Sequence, residues 1–196
     1  KGTSIPYIAH LLAVAALVIE AGADEDIAIA ALLHDSVEDQ GGRPMLKRGD
    51  KAPLFTLPSD GGGTISLKEL RGRAVVLYFY PKDDTSGCTT ESCEFRDNWK
   101  AVQAAGATIL GVSPDGVESH DRFKSKYRLP FPLLADEDHA VAAAYGAWGE
   151  KSMYGRKYQG ILRTTFLIDD KGKIVKVFER VKPKGHAAQV LEALQS

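Results

Sequence analysis

Residues 74–93 read AVVLYFYPKDDTSGCTTESC, and this stretch decides the fold of the larger part of the chain. Its first seven residues form an apolar run that is typical of a buried strand. The pattern favours a helix after Gly87, so Cys88 lies where a strand gives way to a helix. Free backbone N–H groups and the dipole at a helix start favour a thiolate over a thiol. The sequence therefore predicts a reactive Cys88, with Cys93, the other cysteine, close enough to trap its product.

The residues that follow this stretch alternate between strand and helix patterns. Predicted strands cover 74–80, 107–112 and 131–134, predicted helices cover 88–104, 117–128 and 138–145, a hairpin joins 164–168 to 174–178, and a last helix covers about 185–195. Strand–helix alternation that ends in a hairpin and a helix is typical of an α/β fold. We therefore expect a mixed sheet flanked by helices.

The front of the chain differs from the rest in pattern and in charge. Residues 7–22 and 25–39 predict two helices rich in Ala and Leu, and the run Gly-Gly-Arg-Pro at 41–44 predicts a linker. Residues 1–46 hold two basic and seven acidic groups, whereas the remainder holds 23 basic and 19 acidic groups. This asymmetry predicts a helical hairpin over 1–46 and a separate α/β domain over 47–196.

Composition narrows the class of protein. The chain has 196 residues, 44% of them hydrophobic, which is enough for a hydrophobic core. Its formal net charge of −1 gives no excess of positive charge that would bind a nucleic acid or an anionic membrane. The apolar run 11–19 is too short to span a bilayer, and the periodic pattern that continues past it disfavours a secretory signal. Two cysteines are too few for a disulfide scaffold, so we expect a reducing, cytoplasmic setting.

Residues 47–196 resemble the Q-type peroxiredoxins, also called bacterioferritin comigratory proteins, which are thiol peroxidases with a thioredoxin fold. The family signature is a proline, a threonine four residues on and a cysteine three residues later, and Pro81, Thr85 and Cys88 match it. Further similar runs cover 78–83, 129–136, 145–151 and 161–169. Ser86 stands where the family usually has proline, which loosens the loop but removes no reactive group.

The resemblance implies a role for each site residue. Cys88 would attack the O–O bond of hydrogen peroxide or an organic hydroperoxide, and Cys93 would resolve the product as a disulfide that thioredoxin reduces. Arg163 would supply a cation to the sulfur, Thr85 a hydroxyl, and Pro81 the shape of a dry loop. No cofactor is implied.

Each of these residues also has a plainer interpretation. Arg163 could be a surface charge on a strand, Thr85 a simple helix cap, and Cys93 a packed helix residue. A peroxide-sensing module, in which the same disulfide changes a partner interface, is the alternative to an enzyme.

Helix geometry adds a constraint on the two cysteines. Residues five apart in an intact helix rise about 7.5 Å and point roughly 140° apart, whereas a disulfide needs Cα atoms closer than about 7 Å with converging side chains. Cys88 and Cys93 therefore cannot bond while their helix is whole. We predict that the first turns of this helix unwind when the disulfide forms.

Residues 5–15 and 30–39 resemble the opening of an HD-type metal-dependent phosphohydrolase, and are most similar to guanosine-tetraphosphate hydrolases. The resemblance makes His10, His34 and Asp35 weak metal-ligand candidates, with Glu38 and Asp39 near the attacking water. The family needs a further Asp on a later helix that this sequence lacks. We therefore favour packing between two helices as their role and expect no hydrolase activity, with a nucleotide phosphohydrolase as the remaining alternative.

Two short helices with apolar faces need cover. We expect residues 1–46 either to dock on the larger part of the chain or to pair with a second copy, which leaves a monomer or a dimer. The remaining histidines, His120, His139 and His186, are scattered without metal-ligand spacing, and the glycines at 61–63 lack the residues of a phosphate loop.

Overall fold

The computed structural model describes residues 45–153 and 156–195, all within the unit Pro44–Ser196. The helices predicted at 7–22 and 25–39, the weak metal-ligand candidates His10, His34 and Asp35, and the surface suggested for dimerisation lie outside the described residues. The division of the chain near residue 46 stays a prediction.

Nine strands and five α-helices make up the described part. The strands are β1 (Thr56–Pro58), β2 (Thr64–Ser66), β3 (Ala74–Phe79), β4 (Ala107–Ser113), β5 (Leu133–Ala135), β6 (Trp148–Met153), β7 (Arg156–Ile161), β8 (Thr164–Ile168) and β9 (Ile174–Phe178). The helices are α1 (Ser86–Asp97), α2 (Trp99–Ala104), α3 (Val117–Tyr127), α4 (Ala140–Ala144) and α5 (His186–Gln195), with a 3-10 turn at Leu67–Leu70. Within these ranges no helix combines the length and apolar character needed to cross a bilayer.

The central sheet has five strands in the order β5-β4-β3-β8-β9. Strands β3, β4 and β5 are parallel, while β8 runs antiparallel to both β3 and β9. Two antiparallel pairs, β1–β2 and β6–β7, lie outside this sheet. The predicted fold class, a mixed sheet flanked by helices in the manner of thioredoxin, is confirmed.

Strand β3 is buried on both faces of the sheet, which explains its unbroken apolar sequence. Val75, Leu77 and Phe79 belong to one hydrophobic cluster, together with Tyr145 and Phe166. The alternate residues 76, 78 and 80 belong to a second cluster with α1, α3 and α5. The end of β3, from which the loop to Cys88 departs, is therefore held in the most buried part of the described unit.

The helix predicted over 88–104 is wrong in one respect, because it is two helices. α1 ends at Asp97 and α2 begins at Trp99, and Asn98 between them turns its side-chain amide back to donate to the Glu94 carbonyl at 2.9 Å. An Asn side chain that bonds to nearby backbone competes with the helical hydrogen-bond pattern.

The other predicted strands and helices agree with the structure within two residues at either end. The exceptions are the β1–β2 pair and the β6–β7 hairpin, which the sequence did not predict.

Candidate active site

The loop between β3 and α1 is anchored by buried polar groups. The backbone N–H of Asp83 donates to Asp115 Oδ2 at 2.7 Å. The Asp83 carboxylate accepts a hydrogen bond from the Tyr80 hydroxyl at 2.7 Å and lies 2.9 Å from His120 Nδ1. Both Asp83 and His120 are buried, so these bonds pair polar atoms that water does not reach, although Nε2 of His120 has no partner. Hydrogen bonds on the buried side of the loop therefore fix its path.

A second anchor holds the loop from outside. Asp84 adopts a left-handed backbone conformation with φ of 54° and accepts hydrogen bonds from Lys126 Nζ at 2.6 Å and from the Tyr127 hydroxyl at 2.5 Å. Hydrogen bonding to Lys126 and Tyr127 lowers the pKa of the Asp84 carboxyl, which keeps it charged. Both anchors connect the loop to α3 or to the segment just before it.

Thr85 occupies the N-cap position of α1, but its side chain makes no capping hydrogen bond. The hydroxyl donates instead to the Lys82 carbonyl at 3.0 Å, and the residue is exposed. Thr85 is therefore the helix cap by position, as its plainer interpretation has it, but its hydroxyl does not cap the helix. Pro81 lies half-buried at the start of the same loop, and no described contact joins it to the sulfur of Cys88.

Cys88 lies in the first turn of α1 and is 1% exposed. Its sulfur accepts a hydrogen bond from Nη2 of Arg163 at 3.1 Å. The structure thus brings together a thiol and a guanidinium that are 75 residues apart in the sequence. Cys93 lies half-buried farther along the same helix, and both thiols are free.

Arg163 lies in the two-residue connection between β7 and β8, and its side chain is only 15% exposed. The interpretation of Arg163 as a surface charge on a strand is therefore wrong. Burial lowers its pKa, but the opposing charges of Glu91 and Cys88 outweigh burial, so the pKa of Arg163 is raised. The guanidinium is thus a fixed cation that contacts two groups of opposite or potentially opposite charge.

Glu91 is the site residue that the sequence did not predict. It is fully buried on α1, and its Oε2 accepts a hydrogen bond from Nη1 of Arg163, while its Oε1 has no hydrogen-bond partner. Burial raises the pKa of Glu91 to about 7 against the opposing effect of Arg163. One signal was available, because residues three apart share a helix face and Glu91 is three residues from Cys88.

His186 lies on α5 near this cluster, where its Nε2 is 2.8 Å from the Thr165 hydroxyl. Burial lowers the pKa of His186 to about 4, so the ring is neutral at pH 7, and it packs edge-on against Phe95 and Phe178. Among the described residues no group of His, Cys, Asp and Glu has the arrangement of a metal site.

Comparison with known proteins gives two family matches. The AhpC/TSA family model matches residues 48–177, and an HD domain model matches residues 1–49. The chain is 53% identical over 146 residues to the putative peroxiredoxin bcp of Coxiella burnetii, which covers 74% of this chain and 97% of the relative. It is 48% identical to peroxiredoxin Bcp of Bacillus subtilis, over 75% of this chain and 94% of the relative. The resemblance of both parts of the sequence is thereby confirmed.

Solved structures of two peroxiredoxins have the same fold as the described part of this chain. Peroxiredoxin Q of Xanthomonas campestris superposes with a TM-score of 0.69 at 45% identity, covering 72% of this chain and 89% of its own. PrxQ of Xylella fastidiosa superposes with a TM-score of 0.73 at 39% identity, covering 79% of this chain and 98% of its own.

We predict that Glu91→Gln flattens the dependence of stability on pH. The pKa of Glu91 is 4.5 for the free side chain and about 7 in the folded chain, so between these values the folded state keeps a proton that the unfolded state has lost. The stability that this proton contributes is full below pH 4.5 and is lost as the pH rises through 7, by up to about 3 kcal/mol.

Urea unfolding between pH 5 and 8 measures this loss, and tryptophan fluorescence isolates the described unit because the chain's two tryptophans are Trp99 and Trp148. The control is Glu118→Gln, which removes an exposed carboxylate on α3 and should keep the wild-type slope. A Glu91→Gln variant whose stability falls with pH as steeply as the wild type contradicts the prediction.

Proposed function

The chain belongs to the AhpC/TSA family, among its Bcp/PrxQ thiol peroxidases, and from that premise we propose that Cys88 is the peroxidatic cysteine of an enzyme that reduces hydrogen peroxide and organic hydroperoxides. The observation that carries the proposal is the hydrogen bond from Arg163 to the sulfur of Cys88 at the start of α1. A thiolate is the reactive form of cysteine, and both a helix start and a neighbouring cation stabilise it.

The reaction uses one sulfur and one cation. The Cys88 thiolate attacks one oxygen of the peroxide, so that an S–O bond forms as the O–O bond breaks. The leaving oxygen takes the electron pair, gains a proton and departs as water or an alcohol, while the sulfur becomes a sulfenic acid. The Arg163 guanidinium has several donors in one plane, so it can serve the sulfur and a peroxide oxygen together.

Glu91 supports this arrangement from the far side of the guanidinium. An ion pair fixes the direction of the Arg163 fork, and a fork held by Glu91 through Nη1 presents Nη2 to Cys88. The Thr85 hydroxyl donates its hydrogen bond to the Lys82 carbonyl, which leaves its oxygen lone pairs available. That oxygen can therefore accept a hydrogen bond from a bound peroxide. Pro81 has no N–H and restricts the path of the loop.

Resolution requires the second cysteine. The Cys93 thiol would condense with the sulfenic acid, so that an S–S bond forms and water leaves. Thioredoxin would then supply two electrons and two protons to restore both thiols, and this cycle suits a reducing cytoplasm. Because α1 is continuous from Ser86 to Asp97, the disulfide needs this helix to open.

We predict that Cys88→Ser abolishes thioredoxin-supported peroxide reduction. Cys93→Ser should react once with peroxide and then stop, because the sulfenic acid has no partner. The measurement is NADPH oxidation coupled through thioredoxin reductase, with sulfenic acid trapped by dimedone in each variant. The Cys93→Ser variant is the matched control, since it removes one thiol and keeps the other. Turnover by Cys88→Ser contradicts the assignment, and a wild type that is oxidised without turning over favours the sensor alternative.

We predict that oxidation to the disulfide exposes the backbone amides of α1. Hydrogen exchange followed by mass spectrometry should show faster exchange over 86–97 in the oxidised chain, because a disulfide between residues five apart cannot form in an intact helix. α3, at Val117–Tyr127, is the internal control and should exchange equally in both states. Equal protection of α1 in the reduced and oxidised chains refutes the unwinding.

A further inference from the structure

Lys151 on β6 reaches across the β6–β7 hairpin towards the site. Its Nζ donates to the carbonyl of Ile161 at 3.0 Å, at the end of β7. Position 160 lies under the lysine stem, where a Cβ would be 3.3 Å from Cδ of Lys151. Gly160 therefore leaves the room through which the side chain passes. The hairpin therefore holds the Lys151 ammonium in one position.

The carbonyl that Lys151 holds is two residues before Arg163. The intervening residue, Leu162, is also tied, because its N–H donates to the Ala147 carbonyl at 2.7 Å. The chain therefore leaves β7 through two fixed points before it reaches the arginine. Fixing this backbone fixes the origin of the guanidinium that contacts the sulfur of Cys88.

The ammonium also interacts through space with the site. Burial lowers the pKa of Lys151, the positive charge of Arg163 lowers it further, and the sulfur of Cys88 acts in the opposite direction. The other titratable groups near Arg163 are Glu91 on α1 and His186 on α5. Two neighbouring cations repel each other, and an anion between or beside them relieves that repulsion.

We propose that Lys151 is a positioning residue for the peroxidase reaction proposed above: it anchors the segment that carries Arg163 and adds a second positive charge that favours the anionic form of Cys88. This inference rests on the proposed function of Cys88. It assigns a role to a lysine that makes no described contact with the sulfur and acts through the backbone and through space.

The β6–β7 hairpin carries a second lysine, Lys157, that can be compared with Lys151. Lys157, on β7, pairs with Glu150 at 3.0 Å, and the Lys157 side chain is 73% exposed. An exposed ion pair of this kind contributes little and is screened by salt. Lys157 therefore has the same charge on the same hairpin without the anchoring bond or the coupling to the site, which makes it a matched control.

The test uses the full chain with Cys93→Ser, so that Cys88 is the single thiol. Lys151→Gln removes the charge and leaves an amide N–H donor one bond nearer the backbone than Nζ, whereas Lys151→Arg keeps the charge. The pH dependence of alkylation by iodoacetamide and the second-order rate with hydrogen peroxide are measured for each variant. We expect Lys151→Gln to move the alkylation midpoint upward by about half a pH unit and to slow the peroxide reaction about threefold at pH values below the parent's midpoint, where the thiolate is the minor form. Lys151→Arg and Lys157→Gln should match the parent.

The outcomes separate this inference from the proposed function. An alkylation midpoint that is unchanged in Lys151→Gln overturns the role of the charge, even where the rate falls, since that pattern indicates packing alone. A midpoint that moves equally in Lys157→Gln also overturns it, because the effect is then general to the surface. If the parent chain reacts with peroxide no faster than free cysteine, the proposed function fails, while the midpoints still report on Lys151.

Discussion

A guanidinium held between a buried carboxylate and a sulfur is the interaction on which the site depends. Burying a charge is costly unless an opposite charge and good hydrogen bonds accompany it. Where Glu91 is ionised, Glu91 and Arg163 satisfy this condition as a pair, and without Glu91 the guanidinium would be a largely buried cation with only the sulfur beside it. The pair in turn sets the direction of the donor that reaches Cys88. The positions of Cys88, Glu91 and Arg163 therefore depend on one another, and the first two of these residues lie on α1.

The sheet brings the third side chain to the other two. Thr164, the residue after Arg163, pairs with Phe79 at the end of β3, and β3 leads directly into the loop before α1. Antiparallel pairing of β3 with β8 thus places the arginine beside the helix start without any local sequence relation. Burial of β3 on both faces, and the anchors of Asp83 and Asp84 to the α3 region, keep this geometry rigid in the reduced chain. Formation of the proposed disulfide would then have to change α1, because the opposite side of the site is built from the sheet.

The central sheet could be predicted from the sequence because β3, β4, β5 and β8 are buried along almost their whole length, and because β9 follows β8 across a clear turn. The β6–β7 hairpin could not, because Glu150, Lys151 and Lys157 together with two glycines give it no apolar alternation. Glu91 was missed for a related reason, since a charged residue in a helix normally faces solvent. Arg163 entered only through resemblance, because no periodicity links positions 75 residues apart. The break at Asn98 depends on one side-chain hydrogen bond that helix propensity does not register.

The most direct test of this account removes the Arg163 guanidinium and measures how fast the Cys88 sulfur reacts with peroxide. The second-order rate constant for hydrogen peroxide is measured by stopped-flow tryptophan fluorescence in the Cys93→Ser chain, with and without Arg163→Met. The account predicts a loss of roughly a hundredfold or more, the usual effect of deleting one donor to a developing charge. A rate constant unchanged within about twofold, in a variant that unfolds in urea like its parent, would contradict the claim that the arginine activates Cys88.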